Sequence, residues 1–310
     1  MQRVLTTVTL LGLLVATAAA FAITEHLKLI KSPLSGLEVS RPGVLSPVCD
    51  CATNHATIRI KLRHPDHVTV TIVDSARDTV ATLASGVRLP AHQPHFFAWN
   101  GRTGTGALAP DGIYHPEVHL EHARRTFRFA NRIVVDTKVP KVLSASVAKT
   151  VLLAGPGRSV AIHYELSEPA HAVVYLGRNR IIVGRLTKSH RVKWAGTRGG
   201  FALPAGTYVL SVGARDLAGN ETPAAARKHV KVVVRYVELS PERITVRSGR
   251  GFKVHVKTAV KHYTWRLGQR HGVAHRKVLR LRAPTTPGTY RLVVQEDGQA
   301  QTAVVRVRGR

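Results

Sequence analysis

Acidic side chains are scarce in this chain. Its 310 residues hold 18 Asp and Glu against 46 Lys and Arg, a formal net charge of +28, and no acid stands between Glu242 and Glu296. So few carboxylates leave little material for the paired acids of glycoside hydrolysis. Cysteine is nearly missing as well, confined to Cys49 and Cys51. The signatures of common chemistries are absent: no Gly-x-Ser-x-Gly elbow, no His-Glu-x-x-His pair and no phosphate loop of the Gly-x-x-x-x-Gly-Lys type. There is no zinc-finger spacing, recognition-helix signature or RNP-like aromatic strand, so nucleic acid is not an indicated partner. The chain reads as non-enzymatic, with no catalytic residue, cofactor or metal site nominated.

What the sequence does contain is a recurring punctuated stretch. Residues 99–114 read WNGRTGTGALAPDGIY, residues 194–208 read WAGTRGGFALPAGTY, and residues 287–290 read PGTY. Trp99 to Trp194 is a step of 95 residues and Tyr114 to Tyr208 a step of 94, about the length of one β-sandwich domain. Asn100-Gly101 follows the apolar run Phe96, Phe97, Trp99, and Pro110-Asp111-Gly112 supplies a second turn. Tyr114, Pro116, Val118 and Leu120 then alternate onto one strand face. Large aromatics beside β alternation usually supply burial, so Trp99, Tyr114, Trp194, Tyr208 and Tyr290 are read as structural core markers. The loop residues Arg102–Leu108 between them are rewritten in the second copy and are the better place to look for function.

The order apolar-x-Trp-Asn-Gly-Arg, small residues, Pro-x-Gly-x-Tyr and an alternating strand resembles the immunoglobulin-like module of flagellar hook-capping proteins (FlgD-type). The resemblance covers residues 55–136, and residues 140–236 more loosely, with Ala195 in place of Asn100. It implies a sandwich fold, and a tyrosine entering a strand just after a turn is itself similar to the tyrosine corner of immunoglobulin-like sandwiches. It implies hardly anything about flagellar assembly, because no hook-capping segment precedes the module. The upstream echo of Leu62-Arg-His-Pro65-Asp-His67 in Leu166-Ser-Glu-Pro169-Ala-His171 extends the duplication.

These features predict an all-β chain of three tandem immunoglobulin-like β-sandwiches after an N-terminal transmembrane or signal helix. Residues 1–23 contain an uncharged apolar run, VLTTVTLLGLLVATAAAFAI, preceded by Arg3, with small-x-small positions at Ala16, Ala18, Ala20 and Ala22. A cleaved signal peptide and a membrane anchor are both open, and either implies export. His26, Lys28 and Lys31 follow it, against the positive-inside rule for an outward-facing chain. Residues 24–54, with Pro33, Gly36, Pro42, Gly43 and Pro47, read as an extracytoplasmic tether ending in Cys49-Asp50-Cys51. A local disulfide, free or intermolecularly bridged thiols, and metal ligation are the alternatives there. The first module takes residues 55–138, the second 139–236, and a basic module without the glycine-rich loop takes 237–310.

The last module is the most cationic, 16 Lys and Arg against 4 acids, a net +12. Lys253 and Lys257 alternate with Val254 and Val256, and Arg280 and Arg282 with Leu279 and Leu281, so these four cations would share a solvent face and form a candidate polyanion face. Ordinary sheet amphipathicity explains the same pattern. Among 17 histidines the most ordered set is His115, Glu117, His119 and Glu121, which also share one strand face. Alternate strand positions lie roughly 7 Å apart, long for two ligands of one metal, so a solvated polar face is the reading. His271 and His275 have helical ligand spacing in a context that is not helical.

The functional expectation is an exported envelope protein serving as a structural, adhesion or assembly module. Two alternatives stand beside it: a binding module for an anionic cell-wall polymer or glycan through residues 237–310, and an accessory to an extracellular carbohydrate- or wall-active enzyme.

Overall fold

The computed structural model describes residues 2–29, 32–296 and 298–309, and within the N-terminal helix it describes side chains for residues 9–22. The chain is all-β: three immunoglobulin-like sandwiches in sequence after the helix α1 (Gln2–Leu29). Among the described residues no helix is long and apolar enough to cross a membrane. The anchor-or-signal reading of residues 4–23 falls partly outside the described side chains, as do His26, Lys28 and Lys31.

The first compact unit spans Met1–Thr137. Its strands are β1 (Leu34–Val39), β2 (Val44–Leu45), β3 (Ala56–Leu62), β4 (Asp66–Val73), β5 (Thr79–Leu89), β6 (Pro94–Trp99), β7 (Gly112–Leu120), β8 (Arg125–Arg128) and β9 (Ile133–Val135). One sheet has the order β1-β3-β6; the facing sheet runs β2-β9-β7-β4-β5, with β8 on β7. Perfect alternation in β3, whose Ala56, Ile58, Ile60 and Leu62 are buried between half-buried Thr57, Arg59 and Lys61, turns one face into the core.

The tether expected over residues 24–54 is instead part of the first sandwich from Leu34 onward. β1 pairs antiparallel with β3 and β2 pairs parallel with β9. Leu34, Val39 and Leu45 are buried in the first core, and burial of each such side chain stabilises by about 1.5–3 kcal/mol. The prolines and glycines that argued for a tether mark where a strand changes sheet. The register shifts between Leu34 and Gly36, and Gly43 takes a left-handed φ of 74° just before β2.

The second unit spans Lys138–Arg310 and holds two cores. Its first sandwich uses β10 (Val142–Val147), β11 (Val151–Leu153), β12 (Val160–Leu176), β13 (Asn179–Trp194), β14 (Thr197–Arg198), β15 (Phe201–Ala202), β16 (Gly206–Arg215) and β17 (Lys228–Arg235). The plan of the first sandwich returns with strands fused. The N-terminal half of β12 pairs with β10 and the end of β13, as β3 pairs with β1 and β6; its C-terminal half pairs with β16 and the start of β13, as β4 pairs with β7 and β5. The break lies between Glu165 and Ala170, at the echoed Pro169. β11 runs parallel to β17 as β2 does to β9.

The third sandwich comprises β18 (Val237–Ser240), β19 (Arg243–Arg247), β20 (Gly251–Thr258), β21 (Tyr263–Leu267), β22 (Arg270–Ala274), β23 (Val278–Arg282), β24 (Gly288–Glu296) and β25 (Gln299–Arg308). Sheets β18-β20-β23 and β19-β25-β24-β21-β22 repeat the arrangement, again with a parallel pair, β19 on β25. Without the glycine-rich loop, the third module still follows the topology of the other two.

Candidate functional site

The repeated stretch is built from one set of contacts used twice. Trp99 is 1% exposed; its indole N–H donates to the Arg102 carbonyl at 2.8 Å, and its ring meets Tyr114 edge-on at 5.0 Å. Trp194 is 2% exposed, donates to the Thr197 carbonyl at 2.9 Å and meets Tyr208 at 5.9 Å. Both indoles therefore hold the loop three residues ahead. Gly101 and Gly196, two residues past each Trp, take left-handed φ of 71° and 77°, and each lies against a leucine of the parallel strand, Leu45 of β2 and Leu152 of β11.

The tyrosines close the same device. Tyr114, Tyr208 and Tyr290 each donate their hydroxyl to the carbonyl four residues back, Pro110, Pro204 and Thr286, at 2.7, 2.8 and 2.9 Å. All three sandwiches thus carry a tyrosine corner. Tyr208 and Tyr290 are half-buried and pack against the edge of their cores, so as core markers they are weaker than Trp99, Tyr114 and Trp194. Burial raises the pKa of Tyr114, with Asp74 and Asp111 adding to the effect.

The variable loop Arg102–Leu108 is itself held by internal bonds. Arg102 donates to the Gly106 carbonyl at 2.9 Å, and the hydroxyls of Thr103 and Thr105 pair at 2.8 Å. With Asp74, Thr79 and Asp111 it borders an open cleft of about 620 Å³ at one end of the first sandwich. No cluster of functional side chains converges there among the described residues.

The four cations of the candidate polyanion face lie on one sheet, β18-β20-β23. Lys253 stands directly opposite Arg280, and Arg282 opposite Gly251. Lys257 is exposed but faces Glu238 across the sheet, with its ammonium 3.6 Å from the carboxylate. A like-charge pair directly across strands is unfavourable by itself. The sequence reading omitted a second cationic group beside this face, in the loops before β21 and β23: Lys261, His262, His275, Arg276 and Lys277. Its signal was two short basic runs, Lys261-His262 and His275-Arg276-Lys277.

The histidine face of β7 spends its groups on neighbours. His115 is within 3.1 Å of the Phe129 carbonyl, His119 within 3.0 Å of the Thr126 hydroxyl, and Glu117 within 4.0 Å of Arg128. Among the described residues no three His, Cys, Asp or Glu side chains gather as metal ligands. Cys49 and Cys51 are bonded to each other in the loop between β2 and β3, and the Cys51 sulfur lies 3.1 Å from the Thr53 hydroxyl.

Two buried acids, Asp66 in the echoed Leu62–His67 stretch and Asp216, are local caps. Asp66 accepts from the N–H groups of His67 and His122 at 2.7 and 2.8 Å, tying β4 to the β7–β8 turn. Asp216 accepts from Asn220 at both its backbone and side-chain nitrogens, 2.9 and 2.8 Å, closing the loop after β16.

No protein-family model and no curated protein matches the chain. Among solved structures it is similar to a 1.5-MDa bacterial ice-binding adhesin, at 12% identity over 89% of this chain and 98% of that one, TM-score 0.28. It is similar also to the D0-D1 domain of intimin, at 10% identity over 64% of this chain and 98% of that one, TM-score 0.26. Extracellular domains 3-5 of Drosophila OTK match at 9% identity over 86% of this chain and 93% of that one, TM-score 0.19. Likeness at this level says nothing of activity, and the immunoglobulin-like assignment stands on the strand order and the three parallel closing pairs.

Proposed function

We propose that this chain is a non-enzymatic exported protein whose sandwiches serve as a structural, adhesion or assembly module. One observation carries the reading: the residues that recur between copies, Trp, Gly and Tyr, are consumed by contacts internal to each sandwich. What recurs is a means of locking a turn. The Trp-Gly turn and the Pro-x-Gly-x-Tyr strand entry shared by the first two sandwiches support assigning them to the hook-capping type of immunoglobulin-like module. The apolar N-terminal run supports export. N-terminal sequencing of the mature protein from separated membrane, medium and cytoplasmic fractions tests the proposal. Recovery from membrane or medium supports it, and recovery from the cytoplasm alone overturns it.

A second reading, binding of an anionic polymer by the third sandwich, is favoured by its surplus of cations, 16 Lys and Arg against 4 acids, with Lys253, Lys261, Arg276, Lys277 and Arg280 all exposed. Binding to an anionic polymer that weakens steeply with salt supports this reading; binding indifferent to salt opposes it.

A further inference from the structure

The second and third sandwiches, both within the second compact unit, meet along a groove. Gly155, in the loop after β11, approaches Ala259 so closely that a Cβ on Gly155 would lie 2.3 Å from that of Ala259. The hydroxyl of Tyr236, at the junction, donates to the Leu203 carbonyl at 2.6 Å, and the Ala205 N–H donates to Gln299 at 2.9 Å. Beside these contacts opens a cleft of about 730 Å³, rimmed by Arg158 from one sandwich and Lys257, Lys261, Arg276 and Lys277 from the other. His262 and His275 add two imidazoles whose ring centres are 6.1 Å apart. Among the described residues no acid lines this cleft, although the buried Glu296 carboxylate is bonded to the hydroxyl of Thr258 in its wall. A neighbouring cleft of about 830 Å³ shares Leu153, Arg158 and Lys257 with it and adds Lys149 and one carboxylate, Glu238, which already faces Lys257.

Beneath the cationic rim the floor is apolar: Leu153, Val256, Val260 and Tyr263. The Tyr263 ring is 3% exposed and its hydroxyl is engaged with the Arg276 carbonyl at 2.7 Å. Apart from the two imidazoles, then, the cleft offers no open aromatic face on which bases would stack, the usual platform for single-stranded nucleic acid. A ligand suited to this surface has an uncharged body for the floor and anionic substituents for the rim, and is long enough to pass from one cleft to the next. We infer that the groove between the second and third sandwiches is a binding site for an acidic glycan, a sugar chain bearing carboxylate or sulfate groups. The inference rests on the anionic-polymer reading above and moves its seat from the β20–β23 face to the groove, where cations from two sandwiches converge.

The test titrates the full chain by calorimetry with polygalacturonate (carboxylate), heparin (sulfate), neutral dextran and a single-stranded dT20 oligonucleotide, at two salt concentrations. Two variants are compared with the parent, and circular dichroism checks that each is folded: Lys261→Ala with Arg276→Ala in the groove, and Lys253→Ala with Arg280→Ala on the strand face. All four side chains are exposed. The expected result is binding of at least one acidic glycan and no binding of dextran. The groove variant should then lose about tenfold or more in affinity and about two units of the salt slope, while the face variant keeps its affinity. Loss confined to the face variant leaves the anionic-polymer reading standing and overturns the groove. Equal losses in both variants overturn it in favour of diffuse attraction. Tighter binding of dT20 overturns the glycan class, and no binding of any acidic probe overturns both readings together.

Discussion

Gly101 has no side chain because Leu45 occupies its place: a Cβ there would lie 2.7 Å from the leucine Cδ1 and 3.0 Å from Pro47. Leu45 is fully buried, so it has little room to withdraw. The backbone at Gly101 is also left-handed, φ 71°. Gly101→Ala should therefore destabilise the first sandwich by about 1–3 kcal/mol through combined strain and overpacking. Gly106→Ala, left-handed but with open space around it, should cost less. Denaturant midpoints of the two variants measure the difference.

Each tyrosine corner is a separable bond. Tyr114→Phe, Tyr208→Phe and Tyr290→Phe keep the ring and remove the hydroxyl that holds the carbonyl four residues back. Each should cost about 0.5–1.5 kcal/mol, with the buried Tyr114 at the high end and the half-buried pair at the low end. Thermal unfolding of the three single variants orders them.

Tyr164 should behave in the opposite way. Its ring is buried, and its hydroxyl has no hydrogen-bond partner among the described residues. Instead the hydroxyl fills the space over Gly184, where a Cβ would come within 2.9 Å of it. Removing an unsatisfied buried polar group relieves its desolvation cost. Tyr164→Phe is expected to leave stability unchanged or raise it by up to about 1 kcal/mol, and a clear loss in the denaturant midpoint would show that the hydroxyl has a stabilising role.

Alkaline stability follows from the same burial. Tyr114, Tyr164, Tyr175 and Tyr263 have raised pKa values chiefly because the charged phenolate is desolvated; Asp74 and Asp111 add to this at Tyr114, and Glu221 at Tyr175. The folded chain thus holds these protons to higher pH than the unfolded chain. The contribution is whole below the ordinary phenol value of about 10 and is lost as pH rises through the folded values. Phenolate absorbance should show these four among the seven tyrosines ionising together with unfolding, and a Tyr263→Phe variant should lose one of the late titrations.

Much of the fold was legible because β alternation and the Trp-to-Tyr spacing are local signals. Ile58, Ile60 and Leu62, or Val160, Ile162, Tyr164 and Leu166, give their burial directly in the order of letters. Residues 34–45 were illegible for the complementary reason. A strand that leaves one sheet and joins another must break its alternation, and Gly36, Pro42 and Gly43 look the same whether they end a structure or redirect it. The cationic face of β20 and β23 could be read from period two, whereas the groove could not. Arg158 stands more than a hundred residues from Lys261 and Arg276 in sequence, and the packing of the second sandwich on the third, Gly155 on Ala259 among its contacts, brings their loops together.

The parallel pairing that closes every sandwich has a mechanical consequence. Tension along the chain pulls an opening strand toward its N-terminal end and a closing strand toward its C-terminal end. In a parallel pair those directions are opposed along one ladder, so its rungs are sheared together and cannot be unzipped in turn. The ladders differ in length: two residue pairs between β2 and β9, three between β11 and β17, and five between β19 and β25. Single-molecule extension, which reads the unfolding rate of each sandwich under force, is expected to give three unequal events, with the C-terminal sandwich yielding last. The chain would then be least extensible in its third sandwich, which supplies most of the cations of the groove.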